Sequence, residues 1–256
     1  MKISVLIPTL GERKKEIKRL LDSLNDQVYK NFEVIFVTQI NHKFIEDIIK
    51  DYINLDIKQV KIENKGLSRS RNVGLKEANG EIVILSDDDC WYPKDAFKSI
   101  IDAFDGTENT KIVLSQIFDP EKKILYKKYD LKQRFIKNKL QLMSKSSIEI
   151  AFKKDLINFC SFDERFGLGS NYICGEEVDF LIRNFEKNSI YYIPKVTVYH
   201  NKKDGISNKE QIVAKGALYG KNFNFMICLI VLFRDLIIKK ENNFRYFFIG
   251  YNSIES

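Results

Sequence analysis

The sequence predicts an α/β protein built on a mostly parallel central sheet with helices on both faces. Three observations carry that expectation. Through the first 105 residues, β-branched runs alternate with stretches of helical period, and such alternation is the pattern of a parallel sheet crossed by helices. The run Ile82-Val83-Ile84-Leu85 leads through Ser86 into Asp87-Asp88-Asp89, which places three carboxylates at a strand's C-terminal end, where open α/β sheets bind ligands. No internal repeat, low-complexity tract or Pro/Gly/Ser-rich linker interrupts the 256 residues, a length suited to one large α/β domain or two small ones.

Residues 3–8 read as the first strand. From Glu12 to Leu24 the apolar positions Ile17, Leu20, Leu21 and Leu24 follow a helical period. Phe32 to Val37 is a second strand, and Phe44 to Tyr52 a helix with Phe44, Ile45, Ile48 and Ile49 facing inward. Val60 to Ile62 is a short third strand. Ser68 to Ala78 is helical, with Ser68 as N-cap and Asn79-Gly80 as the stop. Residues 81–85 form the strand into the acidic triplet, and Asp95 to Phe104 returns as a helix. In the second half, Lys111 to Phe118 and Lys122 to Tyr126 are expected to pair as strands, Leu131 to Gln141 to be helical, and Ser147 to Phe152 to be a strand. Gly167, Gly169 and Gly175 punctuate a loop before a helix from Glu176 to Glu186. Ser189 to Ile193 and Val196 to His200 are two further short strands around Pro194.

Composition excludes several classes. Hydrophobic content of 44% with 30% charged residues describes an ordinary soluble globular chain rather than a disordered one. Cys90, Cys160, Cys174 and Cys228 show no C-x-x-C spacing and no dense framework, which suits a reducing compartment. The N-terminus enters a strand pattern at once and lacks a signal peptide's apolar region, so a cytoplasmic protein is expected. The net charge of +7 fits phosphorylated ligands, anionic membranes or a solvated lysine-rich surface. Nucleic acid is a weak option without zinc-finger spacing, basic-region heptads or RNP-type aromatics. The last stretch differs: Phe225 to Phe233 is nine consecutive apolar residues, followed closely by Lys239 and Lys240. That run is too short for a span, which needs about 20 residues. Residues 223–240 therefore read either as an amphipathic helix lying on the inner membrane face or as a core helix.

Three adjacent carboxylates repel one another, and no Lys or Arg lies close in sequence to neutralise Asp87, Asp88 and Asp89. A hard divalent ion, Mn²⁺ or Mg²⁺, is expected there because such ions prefer oxygen ligands. The alternative is a solvated turn whose last Asp caps the helix beginning near Pro93. Further pieces share the chain with this triplet: Val5-Leu6-Ile7-Pro8-Thr9, Gly66-Leu67-Ser68-Arg69-Ser70-Arg71-Asn72, Trp91 and Pro93, Gly175-Glu176-Glu177-Val178-Asp179, and Tyr199-His200. In order and spacing, over roughly residues 3–200, these resemble the family 2 glycosyltransferases of the GT-A fold.

The resemblance implies a metal-dependent, inverting transfer of a sugar from a nucleotide-sugar donor to a saccharide or lipid-linked saccharide acceptor, in surface polysaccharide or glycoconjugate synthesis. It implies a catalytic domain over 1–200, with a nucleotide-sugar half at 1–105 and an acceptor half at 106–200, then a helical extension over 201–256. Similarity to the family's Asp-x-Asp element aligns it with Ser86-Asp87-Asp88. Asp88 then becomes the direct metal ligand, with Asp89 and His200 beside it, and Ser86 stands where many members carry Asp. Donor contacts are implied for Pro8, Thr9, Gln39, Arg71, Asn72, Asp87 and Asp88. Gln39 follows Val37-Thr38 where many members have an acid that reads the base, so uracil is not secured as the base. Glu177, or else Glu176, is implied as the general base. The pair also suits a helix's first turn on dipole grounds alone, and His200 also fits a structural role. Asp179 and Arg183, four residues apart, are expected to brace their helix. Two competing functions remain: a sugar-phosphate nucleotidyltransferase, of whose Gly-rich loop Thr9 to Lys14 is a faint echo, and a non-catalytic sugar-nucleotide or membrane-docking module.

Overall fold

The computed structural model describes residues 1–202, 208–239 and 244–254, apart from the side chains of 235–239. The first half follows the expected alternation: β1 (Ile3–Thr9), α1 (Lys14–Asn25), β2 (Phe32–Thr38), α2 (His42–Ile49), β3 (Ile57–Lys61), α3 (Leu67–Glu77), β4 (Ile82–Leu85) and α4 (Ala96–Asp105). The second half adds β5 (Ile112–Asp119), β6 (Ile124–Leu125), β7 (Arg134–Phe135), β8 (Ile150–Lys153), α5 (Glu176–Arg183) and β9 (Ile190–Tyr199). Among the described residues these strands form one sheet in the order β3-β2-β1-β4-β8-β5-β9-β7, with β6 paired to β5. β1 runs parallel to β2 and β4, and β5 parallel to β9, whereas β8 runs antiparallel to both β4 and β5.

Strand alternation divides the core in two. Ile3, Val5 and Ile7 of β1 join Ile82 and Ile84 of β4 in a cluster with α1, α2 and α4. Leu6, Val83 and Leu85 point the other way, into a cluster with Leu75 of α3, Phe180 and Leu181 of α5, and Leu218. Burial on both faces explains why these strands read as continuous apolar runs. Helix α3 lies unusually close to the sheet, since a Cβ at Gly74 would fall 1.9 Å from Leu6 Cδ1.

Four local expectations are corrected. Residues 131–141 form no α-helix; Arg134–Phe135 adds a short strand to β9, and Lys139–Leu142 is a single 3₁₀ turn. The helical reading fails because Leu131 is 88% exposed while Ile136 and Leu142 are buried, a spacing that serves an edge strand and a turn. The two strands around Pro194 are one strand, β9, whose register against β5 slips between Leu114 and Ile117, a place where proline's missing donor is tolerated. Ser147 to Glu149 is a 3₁₀ turn closed by a Ser146/Glu149 capping box, and the strand starts only at Ile150. Gly66, not Ser68, precedes the first turn of α3, because the Ser68 hydroxyl is buried and donates to Phe166 O at 2.5 Å.

The C-terminal residues form α6 (Lys209–Asn222), α7 (Phe225–Lys239) and α8 (Phe244–Ser253). Ala214, Ala217 and Leu218 of α6 belong to the second core cluster. Helix α8 crosses α6 where a Cβ at Gly216 would meet Phe247 O at 1.9 Å, so these helices touch backbone to backbone. Helix α7 is buried on one side and exposed on the other. Cys228, Val231 and Leu232 are buried against α6 and α8, while Met226, Ile230 and Phe233, spaced i, i+4, i+7, are 64%, 65% and 53% exposed. The Lys239 side chain and Lys240 lie outside the described residues. No helix among the described residues is long and apolar enough to cross a membrane.

Candidate active site

The acidic triplet leaves the C-terminal end of β4 beside the end of β1. A cleft of about 340 Å³ opens there, lined by Pro8, Thr9, Arg13, Gln39, Lys65, Gly66, Asp87, Asp88, Asp89 and His200 among others. Asp88 is buried and held on two sides. Thr9 Oγ1 donates to its Oδ2 at 2.6 Å, and Arg13 Nη1 donates to its Oδ1 at 2.9 Å. Burial pushes the Asp88 carboxyl up, against the opposing pull of Thr9 and Arg13. The same Arg13 nitrogen lies 2.7 Å from Asp89 Oδ2. Asp89 Oδ1 meets His200 Nε2 at 3.2 Å, and His200 Nδ1 is buried without a hydrogen-bond partner among the described residues. A two-way backbone pairing of Trp91 with Tyr199 (3.1 and 2.7 Å) sets His200 against the triplet. Trp91 is in turn covered by the Arg19 guanidinium, 3.4 Å from the ring centroid.

Asp87 turns to the other side. Arg71 Nη2 reaches its Oδ1 at 3.2 Å, and Arg71 Nη1 reaches Glu176 Oε1 at 2.9 Å. Arg71 is fully buried and does not line the cleft. It stands behind the carboxylates and joins the strand end to α5. Helix α5 starts from Gly175, whose backbone is left-handed at φ 99°, a conformation glycine adopts without strain. Gly167 leaves room for the neighbouring carboxyl, since a Cβ there would sit 2.9 Å from Ser68 Oγ and 3.5 Å from Glu176 Cδ. Among the described residues no lysine or arginine pairs with Glu177, and burial beside Glu176 pushes its carboxyl well up, to about 8. Asp179 binds Arg183 at 2.7 Å, as a brace, and also Lys221 of α6 at 2.7 Å.

The residues at 4–167 match the family model described as Glycosyl transferase family 2. The chain belongs to that family. A relative is an uncharacterised glycosyltransferase of Methanocaldococcus jannaschii, 29% identical over 201 residues that make up 71% of this chain and 63% of the relative. The poly(ribitol-phosphate) β-N-acetylglucosaminyltransferase TarS of Staphylococcus aureus is 35% identical over 103 residues, 38% of this chain and 18% of TarS. The chain thus spans less than two thirds of either relative. Among solved structures, TarS residues 1–349 with UDP-GlcNAc superpose with a TM-score of 0.73 at 22% identity, covering 95% of this chain and 75% of that one. A Pyrobaculum calidifontis mannosyltransferase with GDP-Man and Mn²⁺ gives 0.62 at 16% identity, over 89% and 64%. The fold of this family 2 chain is therefore GT-A.

Against that fold the residues singled out in the sequence fall into two groups. Pro8, Thr9, Gln39, Asp87, Asp88, Asp89 and His200 share the cleft, whereas Arg71, Asn72, Glu176 and Glu177 are not among its lining residues. Asn72 is committed elsewhere: its amide donates to Phe162 O at 2.9 Å and accepts from Phe162 N at 2.7 Å, which ties α3 to the 161–165 loop. Gln39 Oε1 accepts from Gly66 N at 2.8 Å, so the side chain fixes the mouth of α3 as well as lining the cleft. Arg13 was missed. Its sequence signal is its position shortly after β1, in a stretch read as the start of the helix from Glu12 and as a faint nucleotidyltransferase echo. Two arginines therefore supply the neutralising charge expected from outside the chain.

The residues still suit a hard divalent ion. Two carboxylates that converge on one cationic nitrogen can converge equally on a metal. Among the described residues no three His, Cys, Asp or Glu form a ready-made cage. An ion would take its remaining ligands from phosphate and water, the usual manner for Mg²⁺ with one or two carboxylates.

Proposed function

We propose that this chain carries the catalytic domain of an inverting, metal-dependent glycosyltransferase acting on a nucleoside-diphosphate sugar. The observation that carries the reading is the cleft at the end of β4, where Asp87, Asp88 and Asp89 share the lining with Arg13 and Lys65, while Arg71 ties Asp87 to Glu176. Asp88 and Asp89, with His200 adjacent, would hold the ion. Bound there, a divalent ion offsets the charge that gathers on the departing diphosphate. The chain's own groups do the rest. Arg13 and Lys65 line the cleft as cations for phosphate oxygens. Glu176 is held in its ion pair with Arg71, which leaves Glu177 to take the acceptor's hydroxyl proton. The acceptor oxygen bonds to the anomeric carbon as the carbon–oxygen bond to the diphosphate breaks, the proton passes to Glu177, and a single displacement inverts the centre.

The acceptor is a saccharide or lipid-linked saccharide of a surface glycan, met at the inner face of the cell membrane. The α7 face of Met226, Ile230 and Phe233 supports that placement, as does the charge of residues 201–256, nine Lys and Arg against five Asp and Glu. Incubation with a panel of UDP- and GDP-sugars and Mn²⁺ tests the activity through release of nucleoside diphosphate. Turnover should disappear with chelator and return with metal. Turnover unaffected by chelator would sink the metal, and none with any donor would sink the transferase reading.

A further inference from the structure

The two arginines on the triplet are not equivalent. Arg71 is 1% exposed, caged between Glu176 and Asp87, and cannot leave without stranding both. The Arg13 side chain is 46% exposed and sits on the loop before α1 with a non-helical backbone, two residues after Gly11 at φ +72°. One of its nitrogens takes an oxygen from each of two successive carboxylates, Asp88 Oδ1 at 2.9 Å and Asp89 Oδ2 at 2.7 Å. That is a position for one cation. Resting on the metal-dependent reading above, we propose that Arg13 is a removable internal counter-cation: it holds Asp88 and Asp89 together in the donor-free enzyme and yields their oxygens when a divalent ion enters.

The physical basis is competition for the same lone pairs. A guanidinium and a divalent ion cannot both occupy the space between these two oxygens, and like charges so close repel. The arrangement keeps the carboxylates converged without metal, while partial exposure keeps the arginine easy to displace. Arg13 is then a positioning residue that sets how readily metal binds before the diphosphate arrives.

The experiment is a titration of the whole chain with Mn²⁺ alone, followed by the electron paramagnetic resonance of free Mn²⁺, for wild type, Arg13→Gln and Arg13→Lys. Arg13→Gln should bind Mn²⁺ about tenfold more tightly than wild type, the scale of two partly exposed ion pairs. Its metal-free melting temperature should fall, and saturating Mn²⁺ should raise it by more than in wild type. Arg13→Lys keeps the charge and should stay within about threefold of wild type. Equal Mn²⁺ affinity in wild type and Arg13→Gln, or equal tightening in the lysine variant, overturns the proposal. Should Arg13→Gln fail to fold, the guanidinium resonances of Arg13 in the wild type decide. They should move in step with Mg²⁺ saturation, and resonances that stay fixed overturn the proposal. If neither wild type nor variants bind Mn²⁺, with or without UDP or GDP, the metal reading itself fails, a result distinct from equal binding.

Discussion

Replacing Arg71 by Met removes a buried charge while keeping most of the aliphatic volume, and its cost can be worked out in two parts. Asp87 is 37% exposed, so losing its pair contributes no more than about 1 kcal/mol. Glu176 is 6% exposed and loses its only charged partner among the described residues. A stranded carboxylate has an escape, which is to take up a proton. Neutralising an ordinary glutamate, with a pKa of about 4.3, costs about 3.7 kcal/mol at pH 7 but only about 1 kcal/mol at pH 5. That sets a ceiling on the Glu176 part, consistent with the roughly 3–5 kcal/mol typical of breaking a buried pair from one side. Urea unfolding should therefore show Arg71→Met destabilised by about 3–5 kcal/mol at pH 7 and by about 1–2 kcal/mol at pH 5. Adding Glu176→Gln to the variant should restore much of the difference at pH 7. A destabilisation of the same size at both pH values would refute the reasoning, because it would assign the loss to packing instead of stranded charge.

Asp88→Asn should keep the fold yet abolish most Mn²⁺-dependent binding of nucleoside diphosphate by calorimetry; unchanged affinity in a folded variant removes Asp88 from the metal site. Glu177→Gln should leave donor affinity near wild type and lower turnover by about a hundredfold or more, and if Glu176→Gln behaves this way instead, the two roles are exchanged. Because the folded carboxyl of Glu177 is raised to about 8 from 4.5, the native state keeps a proton that the unfolded chain releases. Its contribution to stability is then fully present below about 4.5 and is lost as pH rises through about 8. Wild type should accordingly lose stability relative to Glu177→Gln across that window, while turnover rises as the base ionises; parallel stability curves for the two proteins would count against the raised carboxyl. On α7, Ile230→Asp with Phe233→Asp should abolish cosedimentation with anionic vesicles and leave circular dichroism intact, whereas Leu232→Asp, buried, should unfold the C-terminal helices. Equal vesicle binding by wild type and the double variant would mean that this face has no part in membrane contact.

Most of the first half of the fold was legible because β1, β2 and β4 are buried along their length and α1, α2 and α4 each carry one apolar stripe, so period and length separate them; β3 is half-exposed, and α3 buries Ser68, Ser70 and Arg71. The stretch 131–141 was not legible, since over eleven residues an edge strand followed by a 3₁₀ turn can place apolar side chains much as a helix would. The single strand β9 was split in sequence by Pro194, whose tolerance depends on a register slip against β5 that no local pattern announces. At the site, the carboxylates and His200 were legible as residue types. Their partners were not, because Arg13 meets Asp88 across 75 residues and Arg71 meets Glu176 across 105. Charge balance at the triplet is a property of the assembled sheet, and the neighbouring sequence could only register the imbalance.

Ser86 bears on the same balance. The side chain is fully buried, with its hydroxyl 3.2 Å from Cys90 Sγ and 3.3 Å from Asp87 O. A carboxylate at that place would lose its hydration and would need a cation of its own. With serine there, the negative charge of the strand end lies at 87–89, where the side chains divide by partner: Asp87 to Arg71, Asp88 to Thr9 and Arg13, Asp89 to Arg13 and His200. Asp87 is thereby tied to α3, while Asp88 and Asp89 share Arg13 of the β1 loop and Asp89 reaches the end of β9 as well. Through Arg71 the first of these ties continues to Glu176, next to the proposed base. The proposed donor side and base side of the site are therefore joined through one buried guanidinium, and a change in the charge on Asp87 or Glu176 is felt by the other.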